Sequence, residues 1–318
     1  MKNYNKVLDK VTKIVLIVYL VVFFFASVVI GFGFANFERE DNRTNLEMND
    51  FNSKWNYSNS SSMVEKETPL FDNGKTAVDY AYQKFSSTTT KQIEIIGPMV
   101  ITAMGKRVDV NIHEIVIFYE NGDVFVQQNI WEWGNAFGQT SSTERLYRND
   151  GQVFIRRCKT TKDINYDDST GKMTVKWTDQ KWREDRIDSF YLYNFSHSNI
   201  SKEKTYEPIY NAYTGKVQSY KIGVELNPVT AVKGYDKQSQ IESTLETLPK
   251  WSMLDFQCTL DKNGKLVEAF VRERYSAKKK IPVFGNVDYT SYNEYKLTFT
   301  FDPENFALQP PEVIIEQK

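Results

Sequence analysis

The chain has 318 residues, with 40 basic against 41 acidic side chains scattered along it, so no broad field exists to attract nucleic acid. Aromatic residues make up 14%, with 19 Tyr and 21 Phe, and such side chains fit pleated, half-buried surfaces better than helices. Composition therefore leans towards β structure. Two cysteines, Cys158 and Cys258, are too few for a disulfide framework and wrongly spaced for zinc. They either pair as a disulfide outside the cytoplasm or lie as two buried thiols.

The N-terminal segment carries the strongest single signal. From Ile14 to Phe37 no charged residue occurs, and the run IVLIVYLVVFFFASVVIGFGFANF is long enough to cross a hydrocarbon core as a helix. Lys2, Lys6, Lys10 and Lys13 precede it, whereas Glu38, Glu40, Asp41, Glu47 and Asp50 follow, which places the N-terminus in the cytoplasm. The alternative is a cleaved signal peptide, with Gly33 and Ala35 flanking a cut before Asn36. The expected organisation is a cytoplasmic N-terminus (1–13), a transmembrane signal anchor (14–35), a polar Asn- and Ser-rich stalk (36–68) and one extracytoplasmic domain (69–318).

Within that domain, Gly74–Ser87 places Ala77, Val78, Ala81, Tyr82 and Phe85 at helical spacing and predicts an amphipathic helix. The period then changes to two. Ile93, Ile95, Met99 and Ile101 form one strand set and Val108, Val110 and Ile112 another, joined at Gly105-Lys106. Asn121-Gly122 predicts a hairpin with a type I′ turn. Asp150-Gly151, Asp168 to Gly171 and Asn263-Gly264 mark further turns. Alternation is clean in Met173, Val175 and Trp177, in Leu254, Phe256, Cys258 and Leu260, and in Tyr295, Leu297, Phe299 and Phe301, before Pro310-Pro311 closes the domain. Two helical insertions are expected. One is a charged segment from Asp179, capped by Thr178 and anchored by Trp182 and Ile187. The other starts at Asn227-Pro228 and carries Val232, Tyr235, Ile241 and Leu245.

No catalytic, cofactor-binding or metal-ligating residue emerges. His113 and His197 are the only histidines and neither neighbours a cysteine; the first reads as a satisfied or solvent-facing strand residue, the second as a loop residue. The carboxylate pairs Asp167-Asp168 and Glu184-Asp185 read as solvated charge, the latter on a helical face, and Lys278-Lys279-Lys280 as a soluble strand end or edge guard. Asp261 to Leu266 lacks the glutamate of a calcium loop and reads as a hairpin turn.

The order of elements resembles the LolA/LppX-like superfamily of lipoprotein carriers: a helix ending KFSS, a long hairpin after Ile-Ile-Gly, then FYLYNFSHSNISKE, VELNPVTAVKGY and WSMLDFQCTLDKNGKLVEAFVRERYSA before an aromatic strand. Leu226-Asn227-Pro228, Asp261 to Gly264 and Glu273-Arg274-Tyr275 carry it, over most of Pro69 to Pro303. The resemblance implies an α+β, mainly antiparallel fold: a curved half-barrel with helices on its concave side, similar to carriers of lipids or acyl chains. No lipobox cysteine is present, which leaves the helix as tether. The expected function is a membrane-anchored, non-enzymatic binding protein for a lipid or other apolar ligand. The alternative is a surface interaction module or accessory subunit for an envelope protein; no cofactor or nucleic acid is expected.

Overall fold

In the computed structural model, the described residues are 65–308 and 311, apart from 134–139, 159–160, 178–180, 186, 188 and 282–283, with Thr161 described in its backbone alone. Ser62–Lys318 forms a compact unit with its own core. The anchor and most of the stalk expected from the sequence lie outside the described residues. Among these, no helix is long and apolar enough to cross a membrane.

Helix α1 (Gly74–Ser87) spans the predicted range, buries Ala77, Val78, Ala81 and Phe85, and starts where the Asn73 side chain accepts the Thr76 N–H at 2.8 Å. The strands follow as β1 (Lys91–Ala103), β2 (Lys106–Phe118), β3 (Val124–Glu132), β4 (Ser141–Tyr147), β5 (Val153–Cys158), β6 (Ile164–Tyr166), β7 (Met173–Val175), β8 (Arg183–Glu184), β9 (Ile200–Tyr210), β10 (Val217–Leu226), β11 (Lys250–Asp261), β12 (Leu266–Ile281) and β13 (Gly285–Thr300). All but β6 and β7 join one antiparallel sheet of order β8-β5-β4-β3-β2-β1-β13-β12-β11-β10-β9, and its two edge strands do not pair, so the sheet is open. Strands β6 and β7 form a separate hairpin.

Turn chemistry explains the meander and corrects two readings. The β1–β2 turn is Met104-Gly105, one residue earlier than expected, with φ of 54° and 70°: this is the two-residue turn with both centres left-handed. At Asn121-Gly122 the hairpin is present, but only Gly122 has positive φ, at 88°. The Gly122 N–H donates to the Tyr119 carbonyl and Tyr119 N–H to Asp123, a type I turn closed by a left-handed glycine bulge. The same three-residue pattern recurs at Asn149-Asp150-Gly151 and Lys262-Asn263-Gly264. A longer loop is also repeated. In Asp167–Lys172 and Asn211–Lys216, sharing Thr-Gly-Lys, the glycine N–H donates to the residue four back and an Asp or Asn side chain caps the loop amides.

Neither helical insertion matches its prediction fully. Arg183–Glu184 is extended and pairs with β5 as a two-residue edge strand, while Trp182 and Ile187 are buried as anchors on opposite faces of the sheet. Helix α2 runs over Tyr235–Glu242 rather than from Asn227, because Gly234 sits at φ 92° and breaks the helix there. Asn227 instead caps a turn, accepting the Val229 N–H at 2.9 Å, and Ala231 and Val232 are buried beyond it.

Both faces of the sheet are covered, by different parts of the chain. On the inner face, alternate residues of β1–β5 and β9–β13 join one cluster with α1, Val232 and the segment holding Ile187, Tyr193 and Phe195. On the outer face, Ile115, Ile117, Phe125, Leu146 and Phe154 pack beneath Trp182, Phe306 and Leu308, and the β6–β7 hairpin lies against Trp131 and Cys158. Strands β9–β13 leave their outer face largely to water.

Candidate functional site

Strands β8 and β9 are the two opposite edges of the sheet, so the chain between them must cross one face. It crosses the inner one: Ile187, Tyr193 and Phe195 all belong to the inner cluster. We call residues 185–199 the strap. Its backbone is held by Gln238 of α2, which accepts the Tyr191 N–H at 2.8 Å, and by the Ala231 carbonyl, which accepts the Asn194 N–H at 2.8 Å. Strap, turn 227–234 and α2 therefore move or stay together.

Aromatic rings fill the space between strap and sheet. Phe195 stacks on Phe256 of β11 at 4.8 Å and lies 6.2 Å from Phe85 of α1, which meets Phe118 of β2 and Phe299 of β13 edge-on. Phe190 of the strap touches Phe118 and Tyr147. Edge-on and stacked pairs add about 0.5–1.5 kcal/mol each beyond area burial.

Polar groups at inner-face positions interrupt this apolar layer in two places. At the first, Glu273 of β12 is fully buried; the Tyr193 hydroxyl and the Asn293 amide both donate to its carboxylate, and burial pushes its pKa up to about 7. At the second, Arg145 of β4, 3% exposed, donates to Asp185 of the strap at 2.8 Å and to Glu242 of α2 at 2.7 Å. Glu114 of β2 lies beside this pair, accepts from Gln128 at 2.7 Å, and is raised to about 7, chiefly by burial and then by the Glu242 charge. Burial likewise raises Glu242 and lifts the Tyr147 phenol far above its usual range.

The sequence-predicted residues distribute differently. His113 is a satisfied buried histidine: Nε2 meets Glu94 at 3.0 Å and Nδ1 accepts the Met173 N–H at 3.0 Å, which pins the β6–β7 hairpin to the outer face. His197 opens a short 3-10 helix, His197–Asn199, rather than lying in a loop, and its N–H donates to Asp79. Asp167 caps its turn. Asp185 is not solvated charge on a helix but a half-buried partner of Arg145 whose N–H donates to the Val153 carbonyl of β5, while Glu184 is exposed on β8. Lys278–Lys280 lie at the end of β12, as the strand-end reading expects; β11 pairs with β12 only as far as Ser276, and beyond it Leu245 bridges to Lys279, while Lys278 pairs with Asp288 and Lys279 lies over Tyr289. Cys158 and Cys258 are both buried as thiols, in separate clusters on β5 and β11, and do not form the disulfide alternative.

Sequence reasoning missed Arg145, Glu242, Glu114 and Glu273. A signal existed for the last two: each replaces an apolar residue in an alternating run, Ile112-Glu114-Val116 and Val271-Glu273-Tyr275. Among the described residues, no three His, Cys, Asp or Glu side chains are placed to hold a metal. A surface groove of about 510 Å³ beside α1, lined by Glu67, Leu70, Tyr80, Lys84, Tyr220 and Lys262, carries both charges and lies apart from the strap's ion pairs.

No family model matches the chain, and no curated protein matches it. Among solved structures, an outer membrane lipoprotein-sorting protein domain from Vibrio parahaemolyticus is similar over 74% of this chain and 95% of its own, at 7% identity and a TM-score of 0.27. A DUF1329 family protein from Desulfovibrio piger is similar over 75% of this chain and 96% of its own, at 12% identity and a TM-score of 0.23.

Proposed function

We propose that this chain is an extracytoplasmic binding protein, tethered through residues 14–35, whose sheet curls into a half-barrel and receives an apolar chain where the strap and α2 now lie. Curling is what a twisted sheet of eleven strands does rather than spread flat over about 48 Å. It also lets Glu242 reach β4 while Glu246 N–H donates to Lys278 on β12, five strands away. The observation that carries the reading is the make-up of the inner cover. Across most of its width, the sheet is closed by a separate strap and a short helix, held through rings and a few ion pairs, rather than by a second sheet. Such a cover can be exchanged for a ligand of similar apolar surface with little loss of burial.

The test uses Ser62–Lys318 incubated with diacyl lipid, followed by native mass spectrometry and hydrogen exchange. We expect bound lipid at about one per chain and faster exchange in 187–199 and 227–245, with β10–β13 unchanged. A clean apo mass with unaltered exchange would overturn the proposal. It would favour the rival reading of a solid module docking on an envelope protein, which the continuous Phe118–Phe85–Phe195–Phe256 contact supports. The tether is tested separately, since a C-terminal reporter shielded from external protease would reverse the orientation.

A further inference from the structure

Beneath the strap, the sheet itself supplies donors. Tyr147 pairs with Val153 and Arg157 with Thr143 across the β4–β5 ladder, and Arg145 with Ile155, so Tyr147, Arg145 and Arg157 project from the same inner face. The acceptors are Glu242 of the cover and Asp185, whose own N–H donates to the Val153 carbonyl of β5 at 2.9 Å and which therefore stays at the sheet edge. Among the described residues, two donors of this patch have no hydrogen-bond partner: the Tyr147 hydroxyl, on a side chain only 5% exposed, and Arg157 Nε. Hydroxyl and guanidinium groups gathered on one patch, two of their donors unbonded, make a receptor for an oxyanion.

Among the described residues, the other charges near the patch are Glu114 on β2, which accepts from Gln128 and is pushed by burial up to about 7, and Arg183 on β8, which adds positive charge. If the rest of the strap and α2 leave, Glu242 leaves with them, Arg145 keeps Asp185 alone, and the Tyr147 hydroxyl and Arg157 Nε still lack an acceptor, so a ligand that brings negative charge to this point is favoured as the replacement for the cover.

We infer that Arg145, Arg157 and Tyr147 form the head-group subsite of the proposed binding site, selecting an amphiphile with a phosphate or carboxylate head, and that Glu242 occupies that subsite in the closed form. The inference rests on the binding reading above and adds a ligand class to it.

The experiment offers Ser62–Lys318 two lipids with identical acyl chains, phosphatidic acid and diacylglycerol, and reads the ratio of bound fractions by native mass spectrometry. Replacing lost charge-assisted hydrogen bonds predicts a preference of about tenfold for the phosphate-bearing lipid. Arg145→Gln is expected to bring the ratio near one. Asp185→Asn combined with Glu242→Gln, which removes the resident acceptors while leaving the arginine, is expected to raise uptake of phosphatidic acid several-fold. This double variant decides the matter if Arg145→Gln does not fold. Equal uptake of both lipids by the parent overturns the head-group assignment and leaves the binding reading standing. Uptake of neither overturns both. Abolition of the preference by millimolar inorganic phosphate assigns the subsite to a free anion instead of a lipid head.

Discussion

The two halves of the sheet obey different rules. Strands β9–β13 are long, ten to sixteen residues, and keep one face wet, so their sequences alternate: Leu254, Phe256, Cys258 and Leu260 point in while Gln257 is exposed. Strands β3–β5 are six to nine residues long and are covered on both faces, by the strap within and by Trp182, Leu308 and the β6–β7 hairpin without. There the buried set includes Gln127, Asn129, Ser142, Glu144 and Arg145, bonded to one another or to the cover. A half with one wet face can be stabilised by apolar burial alone. A half buried on both sides carries polar groups that need partners, and although the Tyr147 hydroxyl, Asn129 Nδ2 and Arg157 Nε lack one among the described residues, its stability depends on the specific pairs the others make.

The largest expected effect breaks that dependence at one residue. Arg145→Ala should cost about 3–5 kcal/mol in urea denaturation, because it leaves two carboxylates, 14% and 17% exposed, without their cation. The comparator is Arg107, whose pair with Asp109 is 40% and 47% exposed, and whose replacement should cost under about 0.5 kcal/mol. Similar losses for the two would end the claim that the short half depends on buried charge.

The border of the long half, where β13 meets β1, has a steric weak point of its own. At Gly97 an added Cβ would lie 1.9 Å from the Glu294 carbonyl oxygen of β13, and the following Pro98 has no N–H to give the ladder. Gly97→Ala should therefore cost about 3 kcal/mol in the same assay. A loss of a few tenths would mean that β1 and β13 separate more easily than their register implies.

Titration sharpens the comparison further. Glu114, lifted to about 7 from an ordinary value near 4.5, favours the fold in its neutral form. Its contribution is complete below about pH 4.5 and disappears as pH rises through 7, so Glu114→Gln should be more stable than the parent by about 2–3 kcal/mol at pH 8 and no different at pH 4. Glu94 behaves oppositely, because its hydrogen bond with His113, helped by Lys172, lowers it to about 2. Its contribution exists above about 4.5 and is lost as pH falls towards 2. Melting temperature against pH should thus decline less towards alkaline pH in Glu114→Gln, where Glu273 still titrates near 7, and keep its acid limb. A variant curve parallel to the parent's would place Glu114 in water.

How much of this was legible follows the same division. The helix over Gly74–Ser87 and the runs around Phe256 and Leu297 could be read because a wet face imprints a period on the sequence. The 179–190 segment was misread because charges such as Glu184 and Asp185 look alike whether they meet water or a buried arginine. Helix α2 was placed too early because the capping signal at Asn227-Pro228 is genuine but serves a turn, and Gly234 interrupts the chain before a helix can run. The ion-pair site was invisible for a physical reason: Arg145, Asp185 and Glu242 are 40 and 97 residues apart from the arginine, and only the crossing strap brings them together.

The smallest prediction returns to the turns, where local sequence ought to be most reliable. Met104 holds φ at 54° without being glycine, whereas Asn121, the residue that sequence rules would place there, stays out of the left-handed region. Its side chain instead accepts the Asp123 N–H at 3.0 Å and donates to the Asp123 carboxylate at 2.9 Å. Met104→Gly should therefore stabilise the chain by about 0.5–1 kcal/mol by relieving the left-handed penalty. Asn121→Gly should destabilise it slightly, since it loses two hydrogen bonds and gains backbone freedom in the unfolded state. Thermal denaturation of the two variants side by side checks the pair of signs. Stabilisation by Asn121→Gly would mean that the Asn-Gly hairpin uses the turn its sequence announces, and that the glycine bulge shared with Gly151 and Gly264 is not the rule that sets the strand connections of this sheet.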